Sequence, residues 1–368
     1  MSKLYTHLTI VVVLLLFTLF HSHAQINTPR GSQMATVNQT VGTSTIEITY
    51  SRPSVNGREI WGSLVPYGLN NLGFGTSTAA PWRAGANENT IITFSDDVQV
   101  EGKPVEAGTY ALFLNVQEGE KANLILNKKN TAWGSFFYEA KDDVVNVEIT
   151  TKTIPHTEML TFGFPEVTAT SATAALMWEK RSFPFTIEVP VTDIVLRDIR
   201  NSMENQSGFN RQTWEQAAAY AANNGGDLNE ALGWIDAAIA GQFFSQKTFA
   251  NVQIKAGILN QMGRQQEALA LVEENMDLGT ILEIHQYGRQ LIAIGMKDQA
   301  MEVFQFNADK NKDTWPVHYG MARGLSAKGD YKNALKHLEK ALVNAPNEAS
   351  KGRVAANIDK LKNGEDIN

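Results

Sequence analysis

The amino-acid sequence predicts a multidomain chain of α and β parts: an all-β antiparallel sandwich near the N-terminus and an α-helical solenoid behind it. Three observations carry that reading. Between residues 43 and 190 apolar side chains recur at every second position, which turns one face of each segment to a core and the other to water. Near residue 192 the period changes to that of a helix. Beyond residue 210, small residues recur at Ala231, Ala268, Ala300 and Ala334, spaced by 37, 32 and 34 positions, the mark of stacked helix pairs.

The first segment decides the expected compartment. Lys3 is the only charge before residue 25, an apolar run follows from Ile10 to Phe20, and Ser22 and Ala24 are small. That order is a secretory signal over residues 1–24, cleaved after Ala24. The run is shorter than the roughly 20 apolar residues that span a bilayer. No second long apolar run follows, so no transmembrane segment is expected after cleavage, and an exported protein, periplasmic or secreted, is the expectation.

Residues 25–40, with Pro29 and Gly31, read as a flexible lead-in. Residues 41–191 form the β domain. Ile46, Ile48 and Tyr50 alternate with polar neighbours, as do Leu124 and Leu126, Val145 to Ile149, Leu160 to Phe164, and Phe185 to Val189. Turn residues at Ser95-Asp96-Asp97, Glu101-Gly102-Lys103-Pro104 and Ala107-Gly108 separate the strands. Short strands with frequent turns favour a sandwich, with a barrel as the alternative. The long connection Tyr67 to Pro81 has the length of a functional loop. Residues 192–209 read as a linker with a short helix, capped at Thr192 or Asp193 and apolar along Val195, Ile199 and Met203. Residues 210–348 hold the repeats, and 349–368 a capping helix and tail.

Composition excludes several functions. The 368 residues carry a net charge of -7, and removing Lys3 with the leader makes the rest more acidic. A nucleic-acid partner, which needs a clustered basic face, is not expected. There are no cysteines, so thiol catalysis and cysteine metal sites are ruled out. His156, His285, His318 and His337 follow the leader with no two at ligand spacing, so no metal is expected. No Gly-x-Ser-x-Gly or Ser-x-x-Lys signature is present, and Gly73-Phe74-Gly75 lies in a polar loop. No catalytic residue and no cofactor is expected.

The helical part repeats in detail. Asp227-Leu228-Asn229-Glu230-Ala231 corresponds to the segments ending at Ala268, Ala300 and Ala334, and Ile235, Val272, Phe304 and Leu338 each follow four positions later. With Pro346 at the close, the pattern resembles tetratricopeptide repeats over residues 210–348. In that family the first helix of each pair lines a concave groove. The resemblance places there Gln216, Tyr220 and Asn223, then Gln253 and Asn260, then His285 and Arg289, then Tyr319 and Arg323. Arg289 and Arg323 stand at equivalent positions and are expected to project side by side. Two such side chains can clamp an acidic segment or a C-terminal carboxylate. Alternatively their stems cover apolar surface.

The β part carries its own motifs: Tyr50-Ser51-Arg52-Pro53-Ser54, Gly57 to Gly62, Trp82 to Glu88, Ala107 to Tyr110, and Asn127-Lys128 followed by Trp133-Gly134. These resemble a bacterial family known only as domain of unknown function 2911, over residues 35–190. In the commoner form Tyr67-Gly68 runs almost directly into the Trp-Arg motif, whereas here residues 69–81 intervene. The family has no assigned activity. Read physically, Arg52, Arg58, Arg83 and Glu88 sit among Trp61, Trp82 and Asn87. Arginine forks suit carboxylate or phosphate, and tryptophans stack on rings or cations. The set is either a pocket for an anionic or glycan ligand, with Arg58, Arg83 and Glu88 as its polar lining, or an internal brace of paired charges.

The expectation drawn from these features is a non-enzymatic envelope protein that binds a protein or peptide partner through the repeat groove, with the β domain as companion. The alternatives are anion or glycan binding by the β domain, and a hydrolase using Glu88 with Glu59, Asp96 or Asp97.

Overall fold

The computed structural model describes residues 28–368, and the segment read as a leader lies outside them. The chain divides into two compact units at Val191/Thr192.

The first unit contains β1 (Gln33–Val41), β2 (Ser44–Arg52), β3 (Thr90–Phe94), β4 (Val98–Val100), β5 (Lys103–Val105), β6 (Gly108–Val116), β7 (Lys121–Asn127), β8 (Asp143–Thr150), β9 (Lys152–Val167) and β10 (Ser171–Glu188). They form a six-stranded sheet, β1-β2-β3-β6-β7-β8, and a four-stranded sheet, β5-β4-β10-β9. Every pairing is antiparallel. Ile46, Ile48 and Tyr50 on β2 point inward, and the Tyr50 ring lies 4.9 Å from Phe162 of β9, so the two sheets face each other. Both sheets keep free edges, and the unit is a sandwich, not a closed barrel.

The lead-in expected over 25–40 is strand from Gln33 onward. The alternation was faint because β1 is an edge strand whose side chains are mostly exposed. Its place comes from the backbone ladder to β2, with Ala35 opposite Tyr50 and Val37 opposite Ile48. The irregular stretch between β2 and β3 is also longer than the connection expected at 67–81. It is pinned rather than loose. Pro53 O accepts from Leu160 N, Val55 N donates to Glu158 O, and Trp82 exchanges both backbone bonds with Leu114 of β6.

The second unit begins with α1 (Val191–Met203). This helix starts before Thr192, and it packs along Leu196, Ile199 and Met203, with Ile194 also buried and Val195 only half-buried. Four helix pairs follow: α2 (Arg211–Asn223) with α3 (Leu228–Ile239), α4 (Phe249–Gln261) with α5 (Gln265–Glu273), α6 (Ile281–Ala293) with α7 (Lys297–Lys310), and α8 (Trp315–Ala327) with α9 (Tyr331–Val343). The last helix, α10 (Glu348–Lys362), closes the stack with Val354, Ile358 and Leu361 buried. The turn inside each pair runs through a left-handed glycine, Gly225, Gly263, Gly295 and Gly329 (φ 79, 78, 85 and 84°), a conformation that excludes most side chains. Thr248 with Asn251 and Thr280 with Glu283 form capping boxes at the starts of α4 and α6, satisfying donors a helix end leaves unpaired. Ala231, Ala268, Ala300 and Ala334 are buried, as are Ile235, Val272, Phe304 and Leu338. No described helix is long and apolar enough to cross a membrane.

Phe304 of α7 fixes the spacing of α6 and α8. Its ring lies where a methyl group on Gly288 of α6 would sit 2.5 Å away, and one on Gly320 of α8 2.7 Å away. Truncation of Phe304 to alanine is expected to cost about 3–5 kcal/mol, and Gly320→Ala about 1–3 kcal/mol through overpacking. Urea unfolding of the variants measures both.

Candidate functional site

The Arg and Trp cluster of the β unit separates into braces and a cavity. Arg52, at the end of β2, turns onto β9. Its Nε donates to Leu160 O at 2.9 Å and its Nη2 to Thr161 Oγ1 at 2.7 Å. Trp61, half-buried, packs edge-on against Trp82 (5.8 Å) and Trp178 of β10 (6.0 Å) and at a tilt against Phe183 (5.2 Å). Glu88 pairs with Arg30 at 2.5 Å. Burial pushes its carboxyl up, but a bond to its own backbone N–H and the Arg30 guanidinium outweigh that and hold it below the usual range. Arg52, Trp61 and Glu88 therefore stand apart from the cavity lining.

Arg58, Trp82, Arg83 and Asn87 do come together, with Trp178, around a concavity of about 300 Å³. No carboxylate lines it among the described residues. Trp82 and Trp178 stack at 5.9 Å and 15°, giving one flat wall. Arg83 Nη1 donates to Asn87 O at 2.8 Å, and its guanidinium lies 5.5 Å from the Phe136 ring centre. Gly134 packs so closely that a methyl there would meet the guanidinium carbon at 2.8 Å. Two of the three acids considered as partners for Glu88, Asp96 and Asp97, have other work. Asp96 accepts from Ser44 Oγ at 2.8 Å, and Asp97 from Ala107 N at 2.7 Å.

In the helical unit, Gln253 and Asn260 of α4 line a cavity of about 210 Å³ with Gln290 of α6. Gln290 also borders a second cavity of about 230 Å³, lined by Gln286, Arg289, Arg323 and Asn368. Arg289 and Arg323 are thus brought to one place. Gln290 borders both cavities, so they lie side by side along α6. His285 and Tyr319 line neither cavity. Their rings stack at 5.9 Å and 12°, and the Arg323 guanidinium lies 5.0 Å from the Tyr319 ring centre. The Tyr319 hydroxyl accepts from Asn357 at 2.6 Å. Tyr220 packs into the core of the first pair and lies outside both cavities, while Gln216 and Asn223 are exposed.

The tail after α10 returns to this groove. Ile367 is buried with Leu361 and Ile358. Arg323 Nη1 donates to Ile367 O at 3.3 Å and to Asn368 Oδ1 at 3.2 Å, while Ser326 Oγ donates to Asp366 at 2.7 Å. Sequence reading had no signal for this return, which joins residues forty or more positions apart. It also missed His318 and His337, whose Nδ1 atoms meet at 3.3 Å across the α8–α9 pair. Trp178 lay inside a regular β pattern and was not singled out.

The comparisons with known proteins fall on the two units separately. Residues 32–187 match the family described as Protein of unknown function (DUF2911). That segment takes in the whole lining of the β cavity, from Ser32 to Trp178. No curated protein matches the chain. Similar solved structures include the C-terminal part of a TPR repeat-containing protein from Cytophaga hutchinsonii, at 14% identity over 47% of this chain and 70% of that one, TM-score 0.34. A tetratricopeptide repeat protein from Parabacteroides merdae shares 16% identity over 48% of this chain and 74% of its own, TM-score 0.31. A TPR protein from Thermus thermophilus shares 17% over 45% and 90%, TM-score 0.31.

His285 gives the groove a measurable pH signature. Burial first, and then the charges of Arg323 and Arg289, bring its pKa down from 6.5 to about 4. The unfolded chain takes up this proton at higher pH than the folded one, so its contribution is present above 6.5 and lost as pH falls toward 4. The loss is about 3 kcal/mol. His285→Gln, which keeps a donor for Pro316 O, is expected to flatten the stability profile between those pH values. Chemical denaturation at several pH values reads the difference.

Proposed function

We propose that the chain is an exported docking protein whose helical groove takes an acidic, extended polypeptide segment, with the β unit as a companion module. One observation carries this reading: Arg289 and Arg323, supplied by successive helix pairs, line one cavity. Neither forms an ion pair among the described residues; Arg289 bonds Gln286 Oε1 at 3.2 Å and Arg323 bonds the tail and Tyr319. Guanidinium forks aimed into one groove favour carboxylates, because charge-assisted bonds are short and geometrically selective. Gln253, Asn260, Gln286 and Gln290 supply amides that suit an extended backbone. The bonds from Arg323 to Ile367 O and Asn368 Oδ1 support the same chemistry, since they put peptide oxygens on this guanidinium. Export rests on the order of charge, apolar run and small residues in 1–24.

The groove is tested with a fluorescent peptide rich in Glu and Leu, and a control with Lys in place of Glu. Anisotropy is expected to rise with the acidic peptide alone and to weaken as salt increases. Changing both Arg289 and Arg323 to Ala is expected to lower affinity roughly tenfold or more. Equal binding by wild type and double variant rejects the groove assignment.

A further inference from the structure

We infer that the β unit holds a second, independent site: the concavity between Arg58 and Arg83 binds a small oxyanion, a carboxylate or phosphate monoester, borne on a flat apolar body. An arginine drawn into a protein is ordinarily matched by an acid, because the charge loses water. Arg83 has no such match. Its one hydrogen bond goes to Asn87 O, and burial alone shifts its pKa, downward, with no acid opposing it. None of its nitrogens is a buried orphan, so the unbonded donors keep contact with solvent, and Arg83 lines the cavity.

Arg52 shows what bracing looks like in the same unit, since its fork is spent on Leu160 and Thr161 of β9. Arg58 also lines the cavity, exposed, with its guanidinium held by the carbonyls of Val55 and Ser54. The acid that acts on it is Glu158, on an adjoining concavity. That carboxylate already accepts from Asn56 N at 2.8 Å and faces His156 at 3.1 Å. Two arginines therefore line a cavity that has no acid among its lining residues.

The rest of the lining selects what carries the anion. The Trp82–Trp178 stack gives a flat wall, and Leu64 and Val65 add apolar surface. A volume of about 300 Å³ suits one small ring with its charged group. The segment is also rigid. Ala84 and Asn87 both hold positive φ, 49 and 62°, and the Asn87 side chain is tied to Ser32 O at 3.2 Å. Such strained residues gather where a loop is fixed for binding.

Calorimetry and thermal unfolding of the full chain with phenyl phosphate, benzoate, inorganic phosphate and phenol test the site. Phenyl phosphate or benzoate is expected to bind and raise the unfolding midpoint, inorganic phosphate to bind more weakly, and phenol not to bind. Arg58→Gln, at an exposed position, is expected to weaken binding roughly tenfold or more, as is Arg83→Lys, which keeps the charge and loses the fork. The Arg289→Ala, Arg323→Ala double variant is expected to bind as wild type. Absence of binding by both ring anions, equal binding by phenol or by inorganic phosphate, indifference to Arg58→Gln, or loss in the groove variant each overturns the proposal. The last two outcomes leave the groove reading intact.

Discussion

The groove depends on a side chain that does not line it. Phe304 of α7 fills the space left by Gly288 on one side and Gly320 and Gly324 on the other. Three missing side chains let one ring touch both neighbouring first helices, so α6 and α8 approach at a distance set by the thickness of a phenyl group. Interiors pack too tightly for that distance to drift. The consequence reaches the surface at once. His285 lies 5.7 Å from Phe304 and stacks on Tyr319, and Tyr319 in turn lies under Arg323. A chain of four aromatic and cationic groups thus connects the core ring to the mouth of the groove. It also explains why His285 stays neutral, since two nearby arginines and burial both oppose its proton.

The β unit achieves rigidity by another route. Its site lies on an irregular strap between β2 and β3, and such a segment needs anchors because it lacks a ladder of its own. The anchors are backbone bonds at both ends of the strap, and the Trp61, Trp82, Trp178 and Phe183 nest beneath it. Arg52 clips the end of β2 to β9. With the scaffold settled by these contacts, Arg58 and Arg83 bond to carbonyl groups, and no acid lines the cavity they share.

Much of this was legible in the sequence because it rests on periodicity. Alternation located β2, β7, β8, β9 and β10, and the recurring alanines fall inside the four second helices. Equivalence of position placed Arg289 beside Arg323. What could not be read depended on contacts distant in sequence or on backbone pairing without a hydrophobic signal. β1 carries little apolar alternation, so its place is dictated by β2. Glu88 grouped with the arginines in sequence, yet Arg30, 58 positions earlier, draws it away. Trp61 and Arg52 had the residue types of a binding site and serve as packing and bracing. His318 and His337 meet because two helices fold against each other, which no spacing rule along the chain records.

The central claim is that first helices α4, α6 and α8 form the surface a partner touches. The most direct measurement is amide hydrogen exchange across the chain, with and without the acidic peptide. The account predicts slowed exchange in α4, α6 and α8 and in the tail around Ile367, with α5, α7, α9 and the β strands unchanged. Protection on the second helices, or confined to the β unit, would contradict it.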